Sequence, residues 1–304
     1  MSEQGRLTVL LVGFGGPEDV DEVAAFVTSV LGRTPPDHVI PAAVTRYEAI
    51  GGGSPLPATT RRQATLVGDE LRRRGYEATV HVGMLHARPT IEEAAARIVA
   101  DGVEDVVVLS LAPYRCEVST DAYESAVERA LNHRGPRMHA GPDWNLAPGY
   151  VDALADMLKD ALDHAPAGIP VIFSAHSLPE RMIDQGDPYA EQLSETCAEV
   201  ARRLGLDEWY LAYQSVSAAA REPWLGPSVE QVMDRLATEG ATSVMVDPIG
   251  FISDHVETLY DNDIEHRAHA RELGLEFHRC RCLNEHPRLI TALADLALAT
   301  ANLG

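Results

Sequence analysis

Short apolar runs that alternate with helical patterns constrain this fold more than any other feature of the sequence. Six runs have the length of strands and are almost continuously apolar: residues 7–14, 78–84, 104–113, 170–176, 208–215 and 242–251. Six further segments show helical periodicity: residues 58–75, 90–102, 150–164, 189–205, 228–240 and 287–301. Strands that are apolar throughout and alternate with helices are typical of parallel sheets buried on both faces.

The order of these elements repeats along the chain. "LTVLLVGFGGPE" (7–18) parallels "IPVIFSAHSLPE" (169–180), and "EEAAARIVADGVEDVVVLSLAP" parallels "VEQVMDRLATEGATSVMVDPIG", at offsets of about 162 and about 138 residues. The sequence therefore predicts an α/β protein of two similar doubly wound (Rossmann-like) halves, residues 1–150 and 151–304, each a parallel sheet flanked by helices. We expect the active-site cleft between the halves, and linking and C-terminal helices that can pack across onto the other half.

Two polar features follow strands of the second half. His176 ends the run 170–176, and an acidic segment that begins at Asp254 follows the run 242–251. Ligands of open α/β sheets bind beyond the carboxyl ends of the strands. We therefore expect both features to line one cleft, faced by the "GFGG" turn and the "LAPYRCEVST" loop of the first half.

The acidic segment has a regular spacing. Glu257, Asp261 and Glu265 are four residues apart, which in a helix stacks three carboxylates on one face. Like charges at that spacing each cost a few tenths of a kcal/mol, and a bound cation would offset this cost. The structural alternative is a capping box of Asp254 with Glu257, followed by a solvated helix face. The position at the expected cleft favours the cation.

Composition excludes several classes of function. The net charge of −21 argues against a general nucleic-acid binder or a polybasic membrane anchor, although a local arginine cluster can still bind a small anion. The single lysine, Lys159, lies in an amphipathic helical pattern, which argues against a Schiff-base or pyridoxal enzyme. The sequence contains no GxGxxG, P-loop, HExxH or GxSxG motif.

The cysteines and the apolar segments indicate a cytoplasmic protein. Cys116, Cys197, Cys280 and Cys282 form no CxxC pair, and "CRC" (280–282) offers too few ligands for a metal site by itself. The polar start "MSEQGR" does not resemble a signal peptide. The longest apolar runs are of strand length, short of the roughly 18 residues of a membrane span. We expect a soluble cytoplasmic protein.

Five segments together resemble the ferrochelatase family over residues 7–300, nearly the whole chain. They are "LLVGFGGPEDVDEVAAFV", "RYEAIGGGSPL", "FSAHSLPERMIDQGDPYAEQ", "AYQSVSAAAREPWLGPSVEQV" and "PIGFISDHVETLYDNDIEH". The pair "AHSLP" and "GFISDHVETLYDND" is the most specific part of this likeness. The sequence is most similar to short, soluble, monomeric members from Gram-positive bacteria, which insert Fe²⁺ into coproporphyrin III to give coproheme in haem biosynthesis.

The resemblance implies a role for particular residues. His176 and Glu257 match the catalytic pair on opposite sides of the porphyrin pocket, and both are implied metal contacts. Asp261 and Glu265 match an acidic ladder that holds or guides a hydrated cation, with Arg46 beside this outer site. The implied porphyrin-binding residues are Phe14, Arg33, Arg46, Tyr47, Ser54, Arg115 and Thr120. Arg33, Arg46 and Arg115 are the candidates for binding the porphyrin carboxylates.

Residue chemistry is consistent with this reaction. Insertion of a divalent metal expels two pyrrole protons, and a neutral imidazole can accept one because its pKa lies near working pH. Carboxylates are oxygen ligands of moderate affinity that can strip water from Fe²⁺ and release it again. A pocket that bends the macrocycle would turn its nitrogen lone pairs toward the metal. No organic cofactor is needed, and Fe²⁺ is a substrate.

The sequence also departs from parts of the family. Phe14 stands where some relatives have a tyrosine near the metal, so no phenol is present there. Some relatives hold a [2Fe–2S] cluster with cysteines of a C-terminal extension, and we do not expect this cluster because the sequence stops at Gly304. The mixed segment 31–45 differs from the apolar lip of membrane-associated relatives and favours a more carboxylated porphyrin. We expect a monomer with transient contacts to neighbouring haem-pathway enzymes.

Three alternatives remain open from the sequence. The same reaction on protoporphyrin IX, or the insertion of another divalent metal such as Co²⁺ or Zn²⁺, would use the same residues. A non-catalytic paralogue that only binds tetrapyrrole or haem, as a carrier or a sensor, would not need a proton acceptor facing a row of carboxylates. The presence of both His176 and Glu257 therefore favours the enzyme.

Overall fold

A computed structural model describes residues 5–131, 135–216 and 221–302 of the chain. Residues 217–220, which belong to the motif "AYQSVSAAAREPWLGPSVEQV", lie outside the described residues. The chain divides into two compact units: Met1–Trp144 together with Asn284–Gly304, and Asn145–Leu283. Each unit contains one sheet, as the repeat in the sequence predicted.

The described residues contain eight strands, which form two parallel sheets of four. The first unit contains β1 (Arg6–Gly13), β2 (Glu77–Met84), β3 (Asp105–Ser110) and β4 (Arg137–Ala140), in the order β2-β1-β3-β4. The second contains β5 (Val171–His176), β6 (Trp209–Gln214), β7 (Ser243–Asp247) and β8 (Glu276–Arg279), in the order β6-β5-β7-β8. Every described pairing within the two sheets is parallel, which confirms the predicted fold class.

Twelve α-helices lie in the described part of the chain. They are α1 (Val23–Leu31), α2 (Val39–Ala49), α3 (Leu56–Arg73), α4 (Ile91–Ala100), α5 (Ala122–Leu131), α6 (Pro148–Asp163), α7 (Glu180–Asp184), α8 (Tyr189–Leu204), α9 (Val229–Thr238), α10 (Val256–Leu259), α11 (Arg267–Glu272) and α12 (Pro287–Asn302). A 3-10 helix spans Val20–Glu22, and two π-helices span Glu117–Asp121 and Asp261–His266.

The core of each unit follows from the apolar strands. In the first unit, one face of the sheet presents Leu10 and Val12 of β1 to α4 and α5, and all of these residues are buried together. In the second, Ile172 of β5 and Val246 of β7 pack in the same way against α9. Because strand side chains alternate between faces, the odd-numbered residues of β1 face the opposite helix layer. Continuously apolar strands thus result from burial on both sides.

The unit boundaries differ from the predicted division at residue 150. Asn145 already belongs to the second unit, since its side-chain amide donates to the Gln192 carbonyl at 3.3 Å and its own carbonyl accepts from Thr196 at 3.0 Å. Helix α12 belongs to the first unit, where Asp295 pairs with Arg74 at 2.5 Å. The position 150/151 falls inside α6, whose buried face continues across it.

The predicted strands and helices correspond to observed ones, with two informative differences. Strand β7 ends at Asp247, shorter than the predicted run to residue 251, because Pro248 cannot continue the ladder as a donor. Strands β4 and β8 were not predicted, since "RMHA" and "EFHR" are short and mixed in polarity. Both lie at a sheet edge, where only part of the strand is buried.

Candidate active site

His176 is the last residue of β5, at the carboxyl edge of the second sheet. Its Nδ1 lies 2.5 Å from the Ser177 carbonyl oxygen, which can only accept, so Nδ1 carries the hydrogen. The hydroxyl of Tyr189 donates to the His176 carbonyl at 3.0 Å and fixes the backbone. In the neutral ring Nε2 is therefore the free acceptor, held in a defined direction.

Glu257 lies opposite this acceptor, in the first turn of α10. Its Oε1 is 3.6 Å from Nε2 of His176, and its Oε2 is 3.7 Å from Nε2 of His255. The Nδ1 of His255 donates to the Ser253 carbonyl at 3.2 Å, so this ring also directs an acceptor nitrogen at the carboxylate. One carboxylate thus lies between two imidazoles of the same tautomer.

Sequence reasoning assigned no role to His255. The one feature of the sequence that could have indicated it is its position, two residues before Glu257 in the acidic segment that begins at Asp254. An extended backbone at His255 directs its side chain back toward Glu257, and this conformation becomes visible only in the fold.

A glycine brings the acidic segment against the end of β5. The Gly250 amide donates to the Ser174 carbonyl at 3.0 Å. A Cβ at residue 250 would lie 2.6 Å from the Cβ of Ala175, closer than two carbon atoms can pack. The side-chain amide of Gln214, the last residue of β6, then donates to the Glu257 carbonyl at 2.6 Å. His176 and Glu257 meet because three strand ends are tied together here.

The capping-box alternative for Asp254 and Glu257 is wrong. The His255 amide donates to Oγ1 of Thr258 at 2.9 Å, so the box forms one residue later than predicted. Asp254 instead accepts from Nη1 of Arg279 at 3.0 Å, and Asp263 accepts from Nε of the same guanidinium at 2.8 Å. These two carboxylates form a nearly buried ion triad with Arg279. The triad separates them from the predicted ladder.

The predicted ladder lies on a π-helix, and the expected continuous α-helix does not form. The Glu265 amide bonds to the Tyr260 carbonyl five residues back, at 3.1 Å, which inserts an extra residue into the turn. Asp261 is 3% exposed and accepts a short hydrogen bond from the Ser215 hydroxyl, whereas Glu265 is exposed. The straight α-helical stripe predicted by four-residue spacing is therefore replaced by a wider turn with one buried and one exposed carboxylate.

A series of polar side chains, Asn262, His266 and Glu230, connects the backbone of Glu257 to α9. Asn262 donates to the Glu257 carbonyl at 3.5 Å and accepts from Nδ1 of the buried His266 at 2.9 Å. Nε2 of His266 lies 3.3 Å from Glu230. The hydrogen bond from His266 lowers the pKa of Glu230 to about 2. His266 thus contacts Asn262 through one ring nitrogen and Glu230 through the other, which links the π-helix to α9.

A buried carboxyl lies at the end of β7. Burial raises the pKa of Asp247 to about 7, and its Oδ2 has no hydrogen-bond partner among the described residues. The thiols of Cys197, Cys280 and Cys282 are buried in this unit, and burial raises the pKa of each. Thiols in this state pack as small apolar groups and are poor nucleophiles.

Within the described ranges, no three His, Cys, Asp or Glu side chains come together in a geometry that could hold a metal ion. His176, Glu257 and His255 form an open row, since each imidazole contacts a different oxygen of the carboxylate. An open row of donors leaves coordination positions for groups from outside the protein.

In the first unit, the predicted aromatic contact is exposed. Phe14 follows β1, and its ring is 37% exposed. It packs edge-on against His86 at 4.7 Å and Phe26 at 6.2 Å, and Phe26 contacts the buried Tyr47 at 6.4 Å. His86 was not identified from the sequence, and burial lowers its pKa.

The predicted carboxylate-binding arginines differ in their surroundings. Arg115 lies 2.7 Å from Asp121 and 3.4 Å from both Glu124 and Asp143, so its charge is already balanced within the unit. Arg33 is exposed and Arg46 is half-buried. This makes the exposed Arg33 a better candidate than Arg115.

The two predicted hydroxyl contacts are buried. Ser54 is 7% exposed, and its hydroxyl accepts from the Leu56 backbone amide at 3.3 Å. Thr120 lies in the π-helix Glu117–Asp121 and donates to the Tyr114 carbonyl at 3.3 Å. Their hydroxyls serve local structure in this state.

None of the helices in the described residues is both long enough and apolar enough to span a bilayer.

Solved structures of chelatases share this fold. The cobalt complex of the sirohydrochlorin chelatase SirB from Bacillus subtilis subspecies spizizenii aligns with a TM-score of 0.59 at 12% identity, over 98% of this chain and 96% of that one. CbiX, described as the terminal enzyme for biosynthesis of sirohaem in denitrifying bacteria, aligns with a TM-score of 0.55 at 14% identity, over 97% and 99% of the two chains. At such identities the likeness shows the fold alone.

Sequence comparison is more specific. The sequence model of the family named Ferrochelatase matches residues 6–301. The ferrochelatase of Deinococcus radiodurans is 36% identical over 97% of this chain and 96% of its own. The coproporphyrin III ferrochelatase of Anoxybacillus flavithermus is 35% identical over 95% of each. The chain therefore belongs to the ferrochelatase family of metal-inserting lyases.

Proposed function

We propose that this protein inserts Fe²⁺ into coproporphyrin III, giving coproheme. The observation that carries the proposal is the carboxylate of Glu257 between the Nε2 atoms of His176 and His255, at 3.6 and 3.7 Å. Relatives from Anoxybacillus flavithermus and Halalkalibacterium halodurans, each 35% identical, bear the name coproporphyrin III ferrochelatase and support the choice of substrate.

Proton removal is the task that fits His176. Each metal that enters the macrocycle displaces two pyrrole protons, so the site needs acceptors as well as a metal donor. The bond from Nδ1 to Ser177 reserves Nε2 of His176 as an acceptor. An imidazolium formed there lies next to Glu257, whose negative charge stabilises it. His255 offers a second acceptor on the other carboxylate oxygen.

Metal delivery is the task that fits the carboxylates. Fe²⁺ in water needs oxygen donors that replace its hydration shell without trapping it. Glu265 is exposed, Asp261 is buried beside Ser215, and Glu257 is half-buried beside His176. We propose that these three acids exchange with metal-bound water in that order. An open donor row lets the porphyrin nitrogens complete the coordination.

Porphyrin binding is assigned to the first unit. We propose that Phe14 packs on the macrocycle through its exposed ring, and that Arg33 and Arg46 bind its carboxylates. Arg115 remains a weaker candidate because three carboxylates already surround it. Tyr47, Ser54 and Thr120 remain predicted contacts.

No organic cofactor enters this proposal, because the reaction exchanges two protons for one divalent metal without a change of redox state. The absence of a [2Fe–2S] cluster, the monomeric state, the pathway contacts and the cytoplasmic location remain predictions from the sequence.

The decisive experiment is anaerobic metal insertion by the purified protein. Fe²⁺ is added with coproporphyrin III or, separately, with protoporphyrin IX, and the visible spectrum reports metalloporphyrin. We expect fast conversion of coproporphyrin alone. Conversion of protoporphyrin alone would contradict coproporphyrin III as the substrate, whereas the proposal of metal insertion would stand. Relatives named simply ferrochelatase, such as that of Deinococcus radiodurans, give this alternative its weight.

Two further arms separate the remaining alternatives. Co²⁺ and Zn²⁺ in place of Fe²⁺ test the metal. A Glu257→Gln variant tests the site, since it removes the charge between the two imidazoles and keeps the shape. We expect this variant to bind porphyrin and to lose conversion. Binding of both porphyrins by the wild type, with conversion of neither by any metal, would favour a non-catalytic carrier.

A further inference from the structure

A groove runs along the outer edge of β2, between α3 and α4, with a volume of about 510 Å³. Residues 78–82 of β2 form its floor. Arg61 and Arg72 of α3 and Arg97 of α4 line its walls. The described residues that line it include these three arginines and neither aspartate nor glutamate. Such a lining is unusual in a chain with a net charge of −21, and it selects for negative charge.

The floor of this groove is an unpaired stretch of sheet edge. Among the described strands β2 pairs with β1 alone, and on its other side only Met84 forms a bridge, with Thr90, so the rest of that side is an edge. The Ala78 carbonyl accepts from Arg72 at 2.9 Å, and the Met84 amide donates to the Pro89 carbonyl at 2.9 Å, both on that outer side. Because successive residues direct their backbone groups to alternate sides, Val80 and Val82 also face outward. Their backbone amides and carbonyls lie between Ala78, which is bonded to Arg72, and Met84, which is bonded to Pro89.

The groove is bounded by both helix layers of the first unit. Helix α4 packs with α5 on the face of the sheet that presents Leu10 and Val12. Helix α3 packs with α12 and β2 in the other layer. A strand added to β2 would therefore extend the sheet between the layers. Its alternate side chains would point toward Arg61 and Arg72 on one side and toward Arg97 on the other.

The position of Arg72 depends on a glycine in the middle of α3. A Cβ at Gly68 would lie 3.2 Å from both Nη1 and Nη2 of Arg72, tighter than ordinary contact. Glycine inside a helix costs about 1 kcal/mol relative to alanine. Here it lets the guanidinium lie flat and cap the end of the open edge at Ala78.

The second unit shows that the fold does not require this groove. Arg97 and Arg235 each follow the N-cap of their helix by seven residues, and both helices start with a capping box. In the second unit Arg235 stacks on the ring of Tyr210 at 4.5 Å. Met84 in the first unit and Tyr213 in the second each form a β-bridge with the N-cap of the next helix. His81 and Tyr210 precede these bridged residues by three positions, so His81 is the counterpart of Tyr210. Arg97 lines an open groove there.

We propose that the edge of β2 binds an extended acidic segment of a partner protein. The segment adds a short strand that pairs with the backbone of Val80 and Val82 and places its carboxylates against Arg61, Arg72 and Arg97. A small anion would use the arginines and leave the outward carbonyls unpaired, whereas a peptide satisfies both donors and acceptors. Glu18 and Asp69 already pair with Arg61 and Arg72, so the segment must displace these carboxylates, whereas Arg97 forms no ion pair with another described residue.

The test uses the full-length protein and a peptide of three Glu-Glu-Val-Val repeats, which as a strand presents carboxylates on both faces. The peptide is acetylated and amidated to remove its terminal charges. Isothermal titration calorimetry measures binding to the wild type and to two variants. Arg97→Ala removes a wall of the groove, and Arg129→Ala removes an exposed arginine of α5 that does not line it. We expect saturable binding that Arg97→Ala weakens about tenfold and Arg129→Ala leaves unchanged.

Two further measurements identify the mode of binding. Hydrogen exchange of the Val80 and Val82 amides should slow when the peptide binds. Val80→Pro removes an outward donor without touching the pairing with β1, and it should abolish binding. Absence of saturable binding, or binding that Arg97→Ala does not change, would overturn the proposal. If inorganic phosphate displaced the peptide and the Val80→Pro variant still bound it fully, the groove would be a site for small anions and the proposed strand pairing would be wrong. Metal insertion by Arg97→Ala should equal that of the wild type, so this result is independent of the proposed reaction.

Discussion

Phe14 and His176 occupy the same place in the two repeats: each stands at the carboxyl end of the first strand of its unit. Phe14 has an exposed apolar ring that packs against His86 and Phe26. His176 has an oriented acceptor nitrogen that faces Glu257. One unit thus presents an exposed apolar ring at this place, and the other presents an imidazole beside a carboxylate.

The third strands extend this contrast. Each is followed by a π-helix, Glu117–Asp121 in the first unit and Asp261–His266 in the second. Beside the first π-helix, Arg115 is surrounded by acids that balance its charge. Beside the second, Glu257 is flanked by two histidines. The same architecture thus carries a charge-balanced arginine in one unit and a carboxylate between two imidazoles in the other.

Exchange of the residue at the first strand end should give the largest effect. We expect His176→Ala to reduce metal insertion by about 10²- to 10⁴-fold, because it removes a positioned proton acceptor, and to leave porphyrin binding intact. Phe14→Ala, the matched change in the first unit, should weaken porphyrin binding and reduce turnover less than tenfold. Steady-state rates and porphyrin titrations test both variants. Equal losses of turnover would contradict the division of roles between the units.

The close approach behind the active site should give the next effect. Gly250 lies against Ala175, and the repeat places Ala112 at the corresponding position of the first unit. We expect Gly250→Ala to lower the free energy of unfolding by about 1–3 kcal/mol, because its Cβ has no room, and to reduce metal insertion. Ala112→Gly should cost less than about 1 kcal/mol. Denaturant unfolding would contradict this contrast if both variants matched the wild type.

The buried carboxyl of Asp247 should make stability depend on pH. Folding raises its pKa to about 7 from an ordinary value near 4, so the folded state resists ionisation and loses stability as pH rises toward 7. Asp247→Asn removes this penalty. We expect its gain in the free energy of unfolding to be larger at pH 8 than at pH 5, by about 2 kcal/mol. Asp37→Asn, an exposed control, should show no such change; an equal gain at both pH values for Asp247→Asn would contradict the burial argument.

The smallest effect concerns Glu230 and its counterpart Glu92. The pKa of Glu230 is lowered to about 2 by His266, so its contribution to stability is present above the ordinary range of a glutamate and is lost as pH falls toward 2. We expect Glu230→Gln to cost about 1 kcal/mol or less at pH 6, because the pair is partly exposed, and the difference from the wild type to vanish near pH 2. Thermal melts measure this.

The control for this pair is Glu92→Gln. Glu92 is exposed at the same point of α4, and its replacement should change stability at neither pH. If Glu230→Gln matched Glu92→Gln at pH 6, the link from α9 to the π-helix would carry no stability.

Much of the fold follows from the sequence because burial on both sheet faces leaves a direct record in it. Runs such as residues 7–14 and 170–176 are apolar without alternation, and only parallel strands between two helix layers bury both faces. The N-caps Thr90 and Ser228 are likewise visible in the sequence, because a hydroxyl side chain accepts a hydrogen bond from a backbone amide in the first turn of each helix. The family likeness, and with it His176 and Glu257, also follows from local motifs.

Only the tertiary structure decided how these motifs meet. Four-residue spacing predicted an α-helical ladder. Asp261 instead accepts from Ser215, which is distant in sequence, and Asn262 donates to the Glu257 carbonyl of the preceding turn. The backbone forms a π-helix that permits both bonds. The pairing of Asp254 with Arg279 and the direction of His255 depend on the same long-range contacts. Local sequence records what a residue must bury or cap, whereas partners brought together by distant strands are set by the packing of the whole unit.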